Sequence, residues 1–269
     1  MVKTKPYKDI TLEFDEEKHR FTIAGRDIIS VTGATSMIYK ELTWWAAGEA
    51  LKKLGWYNEK KIKEIASNEE EFNRLISVAD NNLAETFEKI KKMDAKEYFN
   101  HLKEAYKAHK ETKDAAADLG TQIHDLIELF IKGKKPKIPN DERVKNGFLA
   151  FLKWVDENKI KFLGSESHIY SKKYDYAGIL DIEAKINGKL AIVDIKSSNG
   201  IYNEMRYQVS GYRGAKEEMT KKKYEESWII QLGKETGEFK AYRLDDHPKD
   251  FKAFLGALAI KRREIELKK

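Results

Sequence analysis

Three charged side chains that can bind a metal ion or a phosphate, Asp181, Asp194 and Lys196, lie in the stretch GILDIEAKINGKLAIVDIKSS. The dipeptide Asn187-Gly188 divides this stretch and is a strong signal for a two-residue hairpin turn, because both residues tolerate a positive φ. With this turn, the register places Asp181 directly opposite Asp194. Lys196 lies on the same face as Asp194, since side chains alternate along a strand. The hairpin therefore predicts two acids and a lysine on one surface of a sheet.

Carboxylates that face each other need a compensating charge. Opposite residues of an antiparallel pair have Cβ atoms only about 4.5–5.5 Å apart, and like charges so placed repel each other. A divalent cation between the oxygens removes that repulsion, and hard oxygen ligands suit Mg²⁺ or Mn²⁺. The alternative is a pair of hydrated acids, but the adjacent lysine and the helices described next favour a metal site. The other face of the hairpin is apolar and is expected to be buried; it carries Leu180, Ile182, Ala184, Ile186, Ala191, Val193 and Ile195.

A histidine and a glutamate on a predicted helix, residues 114–133, form a second candidate group. His124 and Glu128 are four residues apart, so their side chains project from one helix face, and Gly120 lies one turn earlier. A glycine inside a helix costs about 1 kcal/mol relative to alanine, so it usually marks the close approach of another backbone or a ligand. The alternative for His124 is a hydrogen-bonded side chain at the edge of the core.

Two further elements carry polar groups that can join this site. Glu166 lies on a predicted strand, residues 162–171, and can add a third carboxylate if that strand neighbours the hairpin. On the predicted helix after the hairpin, Gln208 and Tyr212 repeat the four-residue spacing, and Arg206 lies near them. Such a helix can place polar groups along a phosphate backbone. The alternatives are a hydrated glutamate and a tyrosine in the core.

Composition narrows the class of protein. The 269 residues carry a formal net charge of +6 and a pI near 9.0, which permits a polyanionic partner without requiring one. Cysteine is absent, which excludes disulfides, thiolate zinc sites, cysteine nucleophiles and iron–sulfur clusters. The sequence starts with no apolar signal segment, and no stretch approaches about 18 apolar residues. We therefore expect a soluble, cytoplasmic protein without a membrane partner.

The hydrophobic pattern divides the chain into three regions. Residues 1–40 alternate as short strands and predict an N-terminal β-meander. Residues 41–113 are helical and heavily charged, and predict an inserted helical lobe. Residues 114–269 read as two helices, three strands, a helix, two strands and a terminal helix starting near Phe251. This order predicts an α/β fold with helices on both sides of the sheet.

The helical lobe shows clear helix starts but no catalytic residues. Asn68 with Glu71, and Asp94 with Glu97, have the spacing of a capping box. A lobe of this kind can form a wall or arch that guides one strand, with tryptophans stacked on bases. The alternative is that the tryptophans belong to a buried core; they are Trp44, Trp45 and Trp56.

In order along the chain, GTQIHDLIE, Glu166, GILD, VDIK and QVSGY resemble the motifs of the RecB-type branch of the PD-(D/E)XK nuclease superfamily. The resemblance extends from Gly120 to Tyr212, about a third of the chain. It implies a restriction-endonuclease-like core, a mixed central sheet flanked by helices. The meander followed by TWWAAGEA is similar to stand-alone phage and prophage members, which implies a phage-encoded protein acting in a bacterial host.

The resemblance also implies a role for each matching residue. His124, Asp181 and Asp194 would bind one or two Mg²⁺ or Mn²⁺ ions, and the carbonyl of Ile195 would complete the shell. Lys196 would orient or activate the attacking water, and Glu166 would support the metal and water network. An iron–sulfur cluster, found in some relatives, is excluded by the lack of cysteine. The residues assigned to DNA binding are Gln208, Tyr212, Gly120, Glu128 and Arg206.

These expectations define a function and its alternatives. The expected function is a metal-dependent DNA exonuclease, active in repair or recombination, that hydrolyses phosphodiester bonds by in-line attack of water on single strands or duplex ends. One alternative is a structure-specific endonuclease of the same superfamily. A second is a nucleic-acid-binding module without catalysis, and a third is a hydrolase of small phosphoesters. Strand polarity, strand preference and oligomeric state stay open.

Overall fold

The computed structural model describes residues 1–38 and 42–268. They form two compact units, Met1–Tyr39 with Leu119–Lys269, and Lys40–Asp118. The N-terminal meander thus belongs to the same unit as the C-terminal half of the chain. The expected border between residues 40 and 41 lies outside the described residues. Within those residues, no helix is both long and apolar enough to cross a membrane.

The meander consists of four short strands, each antiparallel to the next. Ala24 and Gly25 form the turn between the third and fourth, both with positive φ of 48° and 77°. Phe14 and Phe21 pack in a cluster with Tyr170 from the C-terminal half, which joins the meander to that part of the unit. The strands are β1 (Val2–Tyr7), β2 (Ile10–Asp15), β3 (Arg20–Ile23) and β4 (Arg26–Ser30), and the short helix α1 (Val31–Thr35) follows.

The second unit is helical, as its charge and apolar spacing predict. Its helices are α2 (Thr43–Lys52), α3 (Glu59–Ile65), α4 (Glu69–Lys91) and the first part of α5 (Ala95–Ile131). Both expected N-caps form: Asn68 accepts from the amide of Glu71 at 2.8 Å, and Asp94 accepts from the amide of Glu97 at 2.8 Å. The reciprocal bond of a capping box is present at Asp94, whose amide donates to Glu97, whereas Glu71 accepts from the amide of Ser67. Helix α5 continues without a break into the first unit, so the helix expected at 114–133 is the end of a longer one. Trp44 is 81% exposed, which rules out a core position for it.

The remainder of the first unit is α/β. Its elements are α6 (Glu142–Glu157), β5 (Ile160–Ser171), β6 (Tyr176–Ile186), β7 (Lys189–Lys196), α7 (Asn203–Thr220), β8 (Glu226–Leu232), β9 (Phe239–Arg243) and α8 (His247–Leu267). Together with the meander they build a nine-stranded sheet of order β1-β2-β3-β4-β6-β7-β8-β9, with β5 paired to β6. Two of the pairs, β4 with β6 and β7 with β8, are parallel, so the sheet is mixed.

Helices cover both faces of the central strands. One face carries Ile182 and Val193, which cluster with residues of α5 and α6 such as Ile123 and Phe151. The other face carries Ile192, which clusters with residues of α1, α7 and α8. The expected arrangement of helices on both sides of a sheet is therefore present, and it leaves β7 buried from residue 191 to residue 195.

The central hairpin has the expected register from its turn as far as Ile182 and Val193. Asn187 and Gly188 have φ of 51° and 87°, and the pairs run from Ile186↔Lys189 to Ile182↔Val193. Leu180, however, packs in the cluster of α7 and α8, whereas Ile182 packs with α5 and α6. The prediction that both share one face is wrong, because the alternation of side chains ends where the pairing with β7 ends.

Candidate metal and phosphate site

Two strands share one edge of β6 at the centre of the candidate site, and we call the gap between them, beside residues 178–181, the fork. Strand β6 pairs with β5 along one edge, so β4 and β7 must both lie along its other edge. Strand β4 pairs with Tyr176 and Ala177, and β7 pairs from Ile182 onward. Residues 178–181 lie between these two partners, and no strand among the described residues pairs with them on this edge. The fork leaves room for side chains where a regular ladder would have none.

The carboxylate of Asp181 spans this fork. Its Oδ2 accepts a hydrogen bond of 2.8 Å from the backbone amide of Ile195 on β7, so a side chain takes over the role of a ladder bond. On a strand, the N–H and C=O of one residue point to the same edge. The carbonyl of Ile195 is therefore expected on the same edge, and its assignment as a metal ligand stays a prediction.

Three potential ligands from three different elements meet at the fork. Nδ1 of His124 on α5 lies 3.7 Å from Oε1 of Glu166 on β5 and 3.8 Å from Oδ2 of Asp181 on β6. One ligand atom from each of the three residues lies within 4.8 Å of the others, a spacing that can hold a metal ion. All three side chains are partly exposed, so an ion and a substrate can reach them.

Glu166 has an unusual backbone. It lies between the pairs Ser165↔Ile182 and Ser167↔Leu180, which places it opposite Asp181 on β6. Its φ is +45°, in the left-handed region that a residue with a Cβ seldom occupies. Such conformations cost of order 1–3 kcal/mol, persist where the surroundings impose them, and cluster at functional sites. In this left-handed conformation, the carboxylate of Glu166 lies 3.7 Å from Nδ1 of His124.

Asp194 and Lys196 form a pair beside this group. Asp194 is fully buried, and its Oδ2 lies 2.6 Å from Nζ of Lys196. Apart from this ion pair, neither oxygen of Asp194 has a partner at hydrogen-bonding angles among the described residues. Asp194 was expected to be a ligand together with His124 and Asp181. It is outside the group of three whose ligand atoms lie within 4.8 Å of one another, and the pairing of β6 with β7 ends at Ile182↔Val193, one pair before Asp181 and Asp194. The assignment of Asp194 as a ligand therefore stays a prediction.

The pKa values of these charged groups show how strongly they influence each other. Burial raises the pKa of Asp194 to about 6; Lys196 opposes this shift, and the charge of Asp181 adds to it. Burial also raises the pKa of Asp181, although His124 and Lys196 oppose that effect. Burial would lower the pKa of Lys196, but Asp194 and Asp181 outweigh it and the pKa is raised. The lysine is therefore a fixed positive charge.

The raised pKa of His124 reflects the negative charge around it. Burial disfavours the imidazolium, but the carboxylates of Asp181 and Glu166 outweigh burial and raise this pKa to about 9. With His124 neutral, the three carboxylates face only the ammonium group of Lys196, an excess of two negative charges. A divalent cation would supply the missing charge, and a proton on His124 would supply part of it. One imidazole nitrogen, two carboxylates and a backbone carbonyl form a donor set that fits Mn²⁺ or Mg²⁺.

The residues assigned to DNA binding on α5 have partners within the protein. A Cβ on Gly120 would lie 3.1 Å from Oγ of Ser197, so the expected close approach is that of a side chain following β7. Glu128 forms an ion pair with Lys132, one turn further along α5. It is outside the group of three potential ligands.

The residues assigned on α7 are divided between core and surface. Tyr212 is only 3% exposed, and its hydroxyl accepts a hydrogen bond of 2.7 Å from Nε2 of Gln208. The buried ring argues against a contact of Tyr212 with a phosphate backbone and favours the core alternative. Arg206 is partly exposed and donates to Asp250 at 3.2 Å. The assignment of Gln208 and Arg206 to DNA binding stays a prediction.

Gly178 was missed as a structural requirement of the site. A Cβ there would lie 2.8 Å from Cε1 of Tyr212, so only glycine lets α7 approach β6 at the fork. The motif GILD contains this glycine three residues before Asp181, but its contact with a distant tyrosine has no local signal. The contact of Ser197 with Gly120 likewise joins residues far apart in the sequence and has no local signal.

Comparisons with known proteins identify no family. The sequence matches no protein-family model, and no curated protein matches it.

Proposed function

We propose that this protein is a metal-dependent DNA exonuclease of the RecB-type branch of the PD-(D/E)XK nuclease superfamily, with a restriction-endonuclease-like core. The observation that carries the proposal is the meeting of His124, Glu166 and Asp181 at the fork, beside the buried pair of Asp194 and Lys196. These residues come from four elements, α5, β5, β6 and β7, and match the ordered motifs of that branch. An accidental cluster of surface acids would not include a buried carboxylate and a lysine held against it.

The proposed metal site consists of His124, Glu166 and Asp181, with the carbonyl of Ile195 as a further expected ligand. When bound, Mg²⁺ or Mn²⁺ would polarise a phosphoryl oxygen and lower the pKa of a bound water. His124 would bind the metal through a neutral imidazole nitrogen, so binding would release the proton that the carboxylates of Asp181 and Glu166 favour.

The chain itself supplies charge and orientation. The ammonium group of Lys196, held by Asp194, is a preorganised positive charge that orients the attacking water and stabilises negative charge developing on the phosphate. Glu166 accepts a hydrogen bond from that water and fixes its direction. The proposed reaction is hydrolysis of a phosphodiester by in-line attack of water. The phosphorus–oxygen bond to the leaving nucleoside breaks as the bond to water forms.

The charge distribution supports a polyanionic substrate. Acidic residues almost balance basic residues in the helical unit, residues 40–118, so the net charge of +6 arises in the unit that contains the site. Each phosphate neutralised by Lys or Arg releases counterions and adds affinity that falls with salt. A small phosphoester would not need such a surface, so weakening of substrate binding at higher salt separates the two substrate classes.

A nuclease assay with linear and covalently closed circular DNA, in Mg²⁺, Mn²⁺ or EDTA, tests the proposal. We expect degradation of linear DNA with either ion, none in EDTA, and an intact circle. Lys196→Ala should lower kcat by about 100-fold or more, because a preorganised charge at the reacting phosphate is lost. Cleavage of the circle would indicate an endonuclease instead. Full activity of Lys196→Ala would overturn the assignment of this site.

A further inference from the structure

A cleft of about 330 Å³ lies on the first unit, between two elements that also carry residues of the candidate site. Its walls come from the end of α5 and the first half of β5: Ile131, Lys132, Phe162, Leu163, Gly164 and Ser165. We call it the β5 cleft. Its volume lies at the lower end of the range of about 300–1,000 Å³ found for ligand pockets, so it suits one small ligand unit.

Residues that line the β5 cleft are close in sequence to the ligands of the proposed metal site. Ser165 immediately precedes Glu166 on β5. Lys132 lies eight residues after His124 on α5, which is about 12 Å along the helix axis. A polymer with one phosphate at Glu166 and His124 would therefore extend past the cleft within a few nucleotides.

An irregularity of β5 turns an apolar side chain outward at this cleft. The register shifts between Phe162↔Ala184 and Gly164↔Glu183, so Leu163 is an extra residue without a partner on β6. Bulges of this kind redirect side chains and are frequent beside active sites. The side chain of Leu163 is 43% exposed. Phe162 below it is fixed by ring contacts with Phe130 and Phe151, at centroid distances of 6.4 and 6.1 Å.

A positive charge lies at the rim of the same cleft. Lys132 is about half exposed and pairs with Glu128, so its ammonium group is already oriented on the face of α5 that carries His124. An incoming phosphate would compete with the carboxylate of Glu128 for this group. The cleft thus combines an apolar wall with the ammonium group of Lys132, which can bind a phosphate in place of Glu128. A nucleotide needs both features, one for its base or sugar and one for its phosphate.

We propose that the β5 cleft is a subsite for one nucleotide of the bound strand, close to the phosphate that is hydrolysed. Leu163 and Phe162 contact the base or sugar, and Lys132 binds the adjoining phosphate. The proposal rests on the proposed nuclease function and adds a determinant of substrate affinity to it. A single open cleft of this size takes one unstacked nucleotide, so it favours a single strand over an intact duplex.

Four variants of the full chain test the subsite. Binding of a short fluorescent single-stranded oligonucleotide is measured by anisotropy in EDTA, and KM and kcat for its cleavage are measured with Mn²⁺. We expect Leu163→Ser and Lys132→Gln to raise Kd and KM about fivefold to tenfold with little change in kcat, since ground-state contacts are lost. Glu128→Gln should lower Kd about twofold, because it frees Lys132. Lys153→Gln, which breaks a similar exposed pair with Glu238 away from the cleft, serves as the matched control.

Hydrolysis of bis(p-nitrophenyl) phosphate, a phosphodiester without a nucleoside, separates affinity from chemistry. Its turnover should be the same in Leu163→Ser and in the unaltered protein. If the unaltered protein cleaves DNA but Leu163→Ser and Lys132→Gln keep its KM, the subsite is wrong and the nuclease function stands. If no cleavage occurs but both variants bind the oligonucleotide more weakly, the nuclease function is wrong and the β5 cleft is a nucleotide-binding site without the catalytic role. No binding and no cleavage would overturn both.

Discussion

Different kinds of contact stabilise each of the two compact units internally. In the helical unit, α2, α3 and α4 contain no buried residue, and local contacts such as the N-caps at Asn68 and Asp94 define the helices. In the other unit, residues 191–195 of β7 are all buried, and clusters on both faces of the sheet include side chains from distant parts of the sequence. Local capping is prominent in the helical unit, and burial stabilises the unit that contains the sheet.

This difference explains where chemistry can be located. A buried carboxylate such as Asp194, or a left-handed residue such as Glu166, destabilises its surroundings and needs a well-packed unit to hold it. Capping and surface ion pairs contribute only about 1 kcal/mol each, which is too little to hold such groups in place. The candidate site accordingly lies in the unit with the buried sheet.

The largest expected effect comes from truncating the same side chain in both units. Phe254→Ala should lower the free energy of unfolding by about 3–5 kcal/mol, because Phe254 is fully buried between α7, α8 and the sheet. Phe87→Ala on α4 should change it by less than about 1 kcal/mol, since Phe87 is 57% exposed. Urea unfolding followed by circular dichroism measures both. Equal losses in the two variants would remove the distinction between the units.

Breaking the buried ion pair should have the next largest effect. Lys196→Met leaves the buried carboxylate of Asp194 without its partner and should cost about 3 kcal/mol of stability at pH 8. Combining it with Asp194→Asn removes the stranded charge and should restore most of that loss, while the double variant stays inactive. Denaturant unfolding together with nuclease assays of the single and double variants separates stability from catalysis. No recovery in the double variant would show that the pair is not the source of the loss.

Replacing a helical glycine with alanine should have the smallest effect on stability, and the sign of that effect should differ between the two units. Gly211→Ala on α7 should cost about 1–2 kcal/mol, because its Cβ would lie 2.9 Å from Cε2 of the buried Phe254. Gly48→Ala on α2 should stabilise its helix by about 0.5–1 kcal/mol, because the nearest atom, Cζ3 of Trp56, lies 3.8 Å away. Thermal unfolding compares the two variants with the unaltered protein. A loss at Gly48 would mean that α2 is more closely packed than its exposure indicates.

Features set by neighbouring residues could be predicted from the sequence. The turn at Asn187 and Gly188 requires only two residues that accept positive φ, and it fixes the register from Ile186 to Ile182. The capping box at Asp94 likewise depends on contacts within one helical turn. The fold class follows from the order of such elements, because an alternation of helices and strands has few ways to bury both.

Features decided by competition between distant segments could not be predicted. Strands β4 and β7 share one edge of β6, and nothing near Asp181 in the sequence indicates where one ends and the other begins. The reversal at Leu180 lies at that division, and the left-handed Glu166 lies opposite Asp181 within it. The start of α8 is a different case. It begins at His247 instead of near Phe251, and the residues that set this start, Asp246 as the cap and Pro248 in the first turn, are local.

The hydrogen bond from Ile195 to Asp181 makes one carboxylate part of the architecture as well as of the chemistry. An inactive Asp181 variant would therefore be ambiguous evidence, since loosening the junction of two strands and removing a ligand produce the same loss of turnover. Among the hydrogen bonds of the described residues, none joins the side chain of Glu166 or His124 to the backbone of a neighbouring strand, so substitutions at these two positions test the chemistry more directly. Any redesign of the proposed metal site has to leave position 181 able to accept that amide hydrogen.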